Sequence, residues 1–142
     1  MKPILRQALS AINAATSKVK IEFDYEEKDD RVIVYANGVT LNNHDDDIRI
    51  EIVVNDGQGA IFYAVFDKLE ETRETLRLLN RFNENSLFFQ AFVREETQYL
   101  VLRHLHIWDD VSEITTFVSE GLSRLGGMAD NKDLIAITKY TR

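Results

Sequence analysis

The chain has 142 residues, 44% of them hydrophobic, and its 24 acidic side chains outnumber 17 Lys and Arg, which gives a formal net charge of −7. This length suits one domain whose core needs neither disulfides nor a structural metal. The absence of cysteine excludes disulfides, thiolate zinc sites and cysteine nucleophiles. Acidity disfavours nucleic acid and membrane surfaces as partners. Because we find neither a signal-like nor a membrane-spanning apolar run, we expect a cytoplasmic protein.

The first half of the chain has the pattern of one helix followed by four strands. Apolar residues recur every three or four positions over residues 3–18, which predicts an amphipathic helix. The period then changes to two, which predicts strands over residues 19–25, 31–36, 48–54 and 60–66. Asn37-Gly38 and Asn55-Asp56-Gly57 are typical of turns or bulges, because these residues tolerate positive φ.

The second half predicts two further helices and a strand hairpin. Helical spacing covers residues 67–82, where Asp67 and Glu70 match a capping box. Strands are predicted over residues 86–93 and 98–107. A third helix follows a second capping box, Asp110 with Glu113, and stops at Gly126-Gly127, while residues 134–140 form a short last strand or a docked tail. The prediction is a single α+β domain over 1–142, with an antiparallel sheet of five or six strands and three helices.

Three of the predicted strands are apolar on both faces. They cover residues 61–66, 87–93 and 99–102. Such strands are normally covered on both sides. Two arrangements follow: either the helices and the tail cover both faces, or all helices lie on one side and an apolar surface is left for a second subunit or a client segment.

The order of elements resembles a known fold. The similarity is strongest from Leu76 to Leu125, and it rests on Leu78-Leu79-Asn80-Arg81-Phe82-Asn83, Leu87-Phe88-Phe89, Leu100-Val101-Leu102-Arg103 and the helix from Val111. These features resemble the type III secretion chaperone-like fold and, within it, the bacterial YbjN-type sensory transduction regulators. The resemblance implies a helix, a three-stranded meander, a middle helix, a hairpin and a last helix. It also implies a small, acidic, often dimeric protein without enzymatic activity, and the secretion chaperones of this fold hold extended client segments.

The predicted function is a protein-interaction module, chaperone-like or regulatory, that binds a protein segment as a cytoplasmic homodimer. Aromatic side chains dominate the energetics of such interfaces. The candidate contact residues are therefore the aromatics Phe62, Tyr63, Phe88, Phe92, Tyr99 and Trp108. Strand register decides which of them face the core, because a slip of one residue exchanges the two faces.

The histidines near the end of the last predicted strand favour an alternative function. His104 and His106 are two residues apart, so they share one face and could bind a metal or small ligand together with Asp109 or Asp110. The usual third ligand has no clear position, and we favour two histidines without a ligand. The chain contains no P-loop, dinucleotide-binding or nucleophile-elbow motif. We therefore predict no enzyme, no catalytic residue, no cofactor and no metal.

Arginines recur every four residues on the predicted middle helix. Arg73, Arg77 and Arg81 form a basic stripe that could receive an acidic peptide or a phosphate. Glu70 and Glu74 lie close enough in sequence to neutralise much of it. We favour an ordinary exposed helix face.

The acidic residues suggest two further interpretations. Asp45-Asp46-Asp47 beside His44 offers oxygen ligands but lacks the spacing of an EF-hand, which favours a solvent-exposed loop. The acidic surface as a whole suits an immunity- or antitoxin-like protein that neutralises a basic partner, since opposite charges speed association.

Overall fold

A computed structural model describes residues 1–141 and confirms an α+β fold with a six-stranded antiparallel sheet. The helices are α1 (Pro3–Thr16), α2 (Arg73–Asn85), α3 (Glu113–Gly127) and α4 (Lys132–Thr138), with a 3₁₀ turn at Met128–Asp130. The strands are β1 (Asp24–Glu27), β2 (Arg31–Val39), β3 (Ile48–Asn55), β4 (Gly59–Lys68), β5 (Gln90–Val93) and β6 (Tyr99–Ile107). Their spatial order is β1-β2-β3-β4-β6-β5, with every neighbouring pair antiparallel. No helix within residues 1–141 has the length and apolarity needed to cross a membrane.

Buried residues from all four helices belong to one core cluster with one face of the sheet. We call this the inner face and the opposite side the outer face. Inner-face strand residues alternate along each strand and include Val32, Val34, Ile50, Ile52, Phe62, Ala64 and Leu102. The close fit of α3 depends on Gly121, since a Cβ there would lie 2.5 Å from the Phe62 ring. Within the described chain, the helices therefore cover one side of the sheet.

The predicted turns of the first half are confirmed. Gly38 has a φ of +67°, and a bulge shifts the register between Ala36 and Val39. The Asn55 side-chain carbonyl accepts hydrogen bonds from the backbone N–H groups of Gly57 and Gly59, both at 2.9 Å. These bonds close the β3–β4 hairpin, and Gln58 rather than a glycine carries its positive φ.

The first strand and the middle helix begin later than predicted. Only Asp24–Glu27 pairs with β2, although residues 19–24 do alternate between partly buried and exposed side chains. β4 runs on to Lys68, and α2 begins at Arg73. The capping box of α2 is Thr72 with Thr75, since each backbone N–H donates to the other residue's hydroxyl at 2.8 and 3.2 Å. The predicted box of Asp67 and Glu70 is wrong, because that stretch is still extended.

The C-terminal stretch is a helix, so the strand alternative for residues 134–140 is wrong and the docked tail is correct. Gly127 keeps a right-handed φ of −66°, so the chain passes through the 3₁₀ turn into α4 instead of reversing at a left-handed glycine. α4 packs on α2 and buries Leu134 and Ile137. A single bridge between Leu69 and Thr141 ties the end of the described chain to the start of the α2 connection.

Candidate functional site

The outer face is organised in rows that cross the strands, because antiparallel partners point to the same side. One row ends at Glu26 on β1 and is otherwise aliphatic. We call its aliphatic part, together with Ile107 beyond its β6 end, the apolar strip: Ile33, Val53, Ile61, Leu105 and Ile107. The neighbouring rows mix aromatic, aliphatic and arginine side chains. We call them the arginine-covered region: Tyr35, Arg49, Glu51, Tyr63, Val65, Phe92, Arg94, Val101 and Arg103.

Guanidinium groups cover the aromatic rings in the arginine-covered region. Three arginine Cζ atoms lie 4.3–4.9 Å from ring centroids. The pairs are Arg49 over Tyr35, Arg94 over Tyr63 and Arg103 over Phe92. Arginine combines an attraction to the ring face with an aliphatic stem that shields apolar surface. These side chains therefore act as a cover over this part of the sheet.

Glu51 holds two of the covering arginines in place. Its carboxylate accepts from Arg49 Nε at 2.7 Å and from Arg94 Nη2 at 3.2 Å. Beneath this network Val65 and Val101 are buried, although no helix packs above them in residues 1–141. The doubly apolar strands thus obtain their second cover from long polar side chains and not from a second layer of helices.

The apolar strip has no such cover at its β6 end. Leu105 is 56% exposed and Ile107 is 80% exposed. Both lie beside a surface depression of about 470 Å³ that is also lined by Asn55, Gly59 and Ile61. Exposed aliphatic side chains grouped along a sheet face are typical of interaction surfaces.

Two of the predicted contact aromatics are core residues. Phe62 is fully buried on the inner face beneath Gly121, because its strand position alternates with the outward-facing Tyr63. Trp108 is also buried and belongs to the core cluster. Neither side chain can reach a partner while the domain is folded, and this corrects their assignment as contact residues.

The other four predicted aromatics lie in three different places. Tyr63 and Phe92 lie on the outer face beneath arginines. Tyr99 lies at the start of β6 and is partly exposed. Phe88 lies on the inner side of the sheet, where its ring stacks on His104 at a centroid distance of 3.7 Å. The six residues therefore do not form one surface. The exposed aliphatic residues Leu105 and Ile107 were missed, since an aromatic criterion does not select them.

His104 and His106 lie on the inner face beside α3, in the part of β6 that has no β5 partner. His104 Nδ1 donates to the Phe88 carbonyl at 2.9 Å, which leaves Nε2 of the neutral ring as an acceptor. His106 Nε2 donates to Glu113 at 3.0 Å. The Phe117 ring lies 5.7 Å from both imidazole rings. The pair therefore belongs to an aromatic stack at the sheet edge.

A cleft of about 280 Å³ opens beside this stack and is lined by His104, His106, Glu113, Thr116, Phe117 and Glu120. Glu113 accepts the backbone N–H of Asp110 at 3.0 Å. This bond, followed by the one from His106, lowers the pKa of Glu113. The carboxylate next to the histidines is thus Glu113, and not Asp109 or Asp110 as predicted. Across residues 1–141, no three His, Asp or Glu side chains are grouped as metal ligands.

The basic stripe on α2 is exposed, as expected for a solvated helix face. Arg73, Arg77 and Arg81 all lie on the surface. Glu74 pairs with Arg77, and this hydrogen bond lowers the pKa of Glu74. The stripe is therefore partly neutralised from within its own helix.

The acidic loop between β2 and β3 is not simply solvent-exposed, as the sequence suggested. Asp46 is buried and accepts from Thr141 Oγ1 at 2.9 Å and from the Asp67 backbone N–H at 3.1 Å. His44 is buried too, and its Nδ1 lies 2.9 Å from Thr138 Oγ1. Burial and the neighbouring Asp46 raise the pKa of Asp67. This loop fastens the C-terminal helix, a role with no signal in the local sequence.

Comparisons of the chain with protein-family models, with curated proteins and with solved structures find no match. Function is therefore inferred from the two surfaces just described, the outer face and the cleft beside α3. Of these, the outer face carries the larger uncovered apolar surface.

Proposed function

We propose that the chain is a non-enzymatic protein-interaction module, chaperone-like or regulatory, that acts in the cytoplasm as a homodimer and binds an extended protein segment on the apolar strip. The observation that carries this proposal is the difference in cover across one sheet face. Arginines cover the aromatics of the neighbouring rows, whereas Leu105 and Ile107 stand 56% and 80% exposed. A row of aliphatic side chains on a β-sheet suits a segment in extended conformation.

The charges around the strip favour a segment with apolar and acidic residues. Three arginines lie in the adjacent rows, in a chain whose net charge is −7. The carboxylates of these rows and of the row of the strip itself are Glu51, Asp24 and Glu26. Arg31 flanks the strip on its other side. Opposite charges at the rim of an interface increase specificity and association rate. The four arginines outnumber the three carboxylates, although the whole chain is acidic, and this local balance favours an acidic client over the basic partner of an immunity-like protein.

The test is binding of a short fluorescein-labelled peptide in which Leu and Ile alternate with Glu and Asp. Leu105→Asp should weaken binding by about tenfold or more, because a difference of about 1.4 kcal/mol corresponds to a factor of ten and a carboxylate in an apolar contact costs at least that. Leu76→Asp is the matched control, since Leu76 is an exposed leucine on α2. Equal affinity of the two variants contradicts the proposal. A second peptide with Lys in place of Glu and Asp should bind more weakly than the first.

The cleft beside α3 supports a second candidate, a small-ligand site. The specific observation is His104, whose Nδ1–H is held by the Phe88 carbonyl so that Nε2 accepts in the neutral form. Glu120 lines the same cleft. A ligand with an N–H or O–H donor suits these two acceptors. Titration of a fragment library against the histidine NMR signals, with His104→Phe as the control variant, tests this candidate.

The resemblance to YbjN-type proteins is part of the proposal. A first helix, a meander, a middle helix, a hairpin and a following helix occur here in that order, which supports it. The meander has four strands where the family pattern has three, and α4 follows the last family helix. Both additions lie away from the β5–β6 hairpin.

A further inference from the structure

The second half of β6 has a strand on one side only. β4 pairs with β6 as far as Ile107, whereas β5 pairs only with residues 100–103. Beyond Arg103 the segment that precedes β5 turns towards the inner side, where the Phe88 carbonyl accepts from His104 Nδ1. Residues 104–107 therefore form an open sheet edge.

The alternation of hydrogen-bonded and non-bonded pairs between β4 and β6 shows which residues of β6 direct their backbone N–H and C=O groups towards this edge. Trp108 N–H donates to the Gln58 carbonyl at 2.9 Å, so these two residues are a hydrogen-bonded pair. Bonded and non-bonded pairs alternate along an antiparallel ladder. His106 therefore bonds to β4, while Leu105 and Ile107 direct their backbone N–H and C=O groups away from it.

On the β5 side of β6 the hydrogen-bonded pairs also show which residues direct their backbone groups outward. Arg94 N–H donates to the Tyr99 carbonyl at 2.9 Å, which makes them a bonded pair and places Arg103 in the last bonded pair with Gln90. The next outward-facing residues are Leu105 and Ile107, to which β5 offers no partner. Unpaired N–H and C=O groups on an edge strand are a template for another strand, and this segment carries no proline, lysine or bulge that would block pairing.

We propose that a second copy of this chain pairs with the open edge, antiparallel and centred on His106. In this register Leu105 faces Ile107 of the second copy, and two-fold symmetry repeats the pairing. All outward N–H and C=O groups of both residues are then bonded between the copies. A shift of the centre to Leu105 would pair Ile107 with Arg103, which already bonds to β5. The inference rests on the proposed function in treating the end of the apolar strip as an interaction surface.

The apolar character of residues 104–107 fits this register, because the two residues that face each other across it are Leu105 and Ile107. The copies each carry a net charge of −7, so they meet with least repulsion at a segment without acidic side chains. Leu105 and Ile107 of both copies then form one cluster that joins the two apolar strips.

A cysteine placed on the two-fold axis tests the register, because the chain contains no cysteine. His106 faces His106 of the second copy in a non-bonded pair, where Cα atoms lie about 4.5 Å apart. That separation falls within the range of about 4.4–6.8 Å that a disulfide spans. Under mild oxidation we expect His106→Cys to convert largely to a covalent dimer. Leu76→Cys is the control, since its thiol is exposed on α2, and it should cross-link slowly and in proportion to concentration. Equal cross-linking rates overturn the proposal.

A backbone variant gives an independent test in the absence of any client. Leu105→Pro removes an N–H that faces the open edge and takes part in no bond to β4, so the domain should fold. Light scattering should find the unmodified chain dimeric and Leu105→Pro monomeric, with unchanged circular dichroism. If Leu105→Pro unfolds, Ile107→Lys replaces it, because a lysine on an edge strand opposes pairing. A monomeric unmodified chain overturns this interface and the homodimer of the proposed function, but it leaves peptide binding by the strip intact. Loss of peptide binding in a chain that is still dimeric overturns the binding proposal alone.

Discussion

The arginine-covered region and the apolar strip lie on the same sheet face and differ in their cover. Val65 and Val101 are buried in the first region, whereas Leu105 and Ile107 are 56% and 80% exposed in the second. The difference arises from three arginines that lie on or beside the strands of the first region. Arg49 belongs to β3, Arg103 belongs to β6 and Arg94 follows β5, whereas the strip has no arginine of its own. A sheet without a second helical layer can therefore be sealed locally by long side chains and left open beside them.

The largest expected effect comes from placing the same charge in both regions. Val101→Asp buries a carboxylate beneath the arginine cover, and we expect it to lower the free energy of unfolding by about 3 kcal/mol or more. In the monomer, at protein concentrations too low for pairing, the carboxylate of Leu105→Asp stays in contact with water and should change the free energy of unfolding by less than about 1 kcal/mol. Urea unfolding followed by tryptophan fluorescence measures both. Similar losses in the two variants would show that the regions do not differ in cover.

A smaller loss of stability is expected when the arginine cover is loosened and the buried valines beneath it are left unchanged. Glu51→Ala removes the carboxylate that Arg49 and Arg94 share. We expect a loss of about 1–2 kcal/mol, because the hydrogen bonds are charge-assisted but only half-buried. Binding of a hydrophobic dye should rise in parallel. Glu74→Ala, which breaks an exposed ion pair on α2, is the control and should leave dye binding unchanged.

The smallest expected effect lies outside both regions and concerns the change in stability at acidic pH. The hydrogen bond from the Asp110 backbone, followed by that from His106, lowers the pKa of Glu113. A lowered pKa means that the carboxylate stabilises the fold above its unfolded value, about 4.3, and that this contribution is lost as the pH falls through the folded value. Glu113→Gln should therefore be less stable than the unmodified chain at neutral pH and nearly equal to it below that window. Thermal unfolding across pH measures the difference.

The sequence predicted the central strands well and the ends of the sheet poorly, for identifiable reasons. Strands β2, β3 and β4 combine alternation with turn residues such as Gly38 and Asn55, so local chemistry determines them. Residues 19–23 alternate just as clearly, but pairing requires a neighbour within reach, which a single segment does not specify. The alternation of Ile and Ala in residues 134–140 is equally compatible with a strand and with the short α4.

The candidate site was predictable only in part. The strands that are apolar on both faces predicted either a second cover or an exposed apolar surface. The structure shows an arginine cover over Tyr63 and Phe92, and the exposed Leu105 and Ile107 lie beyond the predicted apolar stretch of residues 99–102.

The cover depends on Arg49, Arg94 and Arg103, which lie on different segments and meet only through register. The open edge exists because β5 begins at Gln90, opposite Arg103, so that the last four residues of β6 have no partner on that side. Neither fact is a property of any short stretch of sequence.

The contact between Asp46 and Thr141 has a consequence for how the domain is made. These residues are 95 positions apart, so the loop after β2 emerges from the ribosome long before the segment that buries it. A nascent chain can assemble β1 to β4 while α4 is still in the exit tunnel, but the carboxylate of Asp46 must stay hydrated until then. Completion of the domain therefore waits until α4 and Thr141 have been synthesised and can reach this loop.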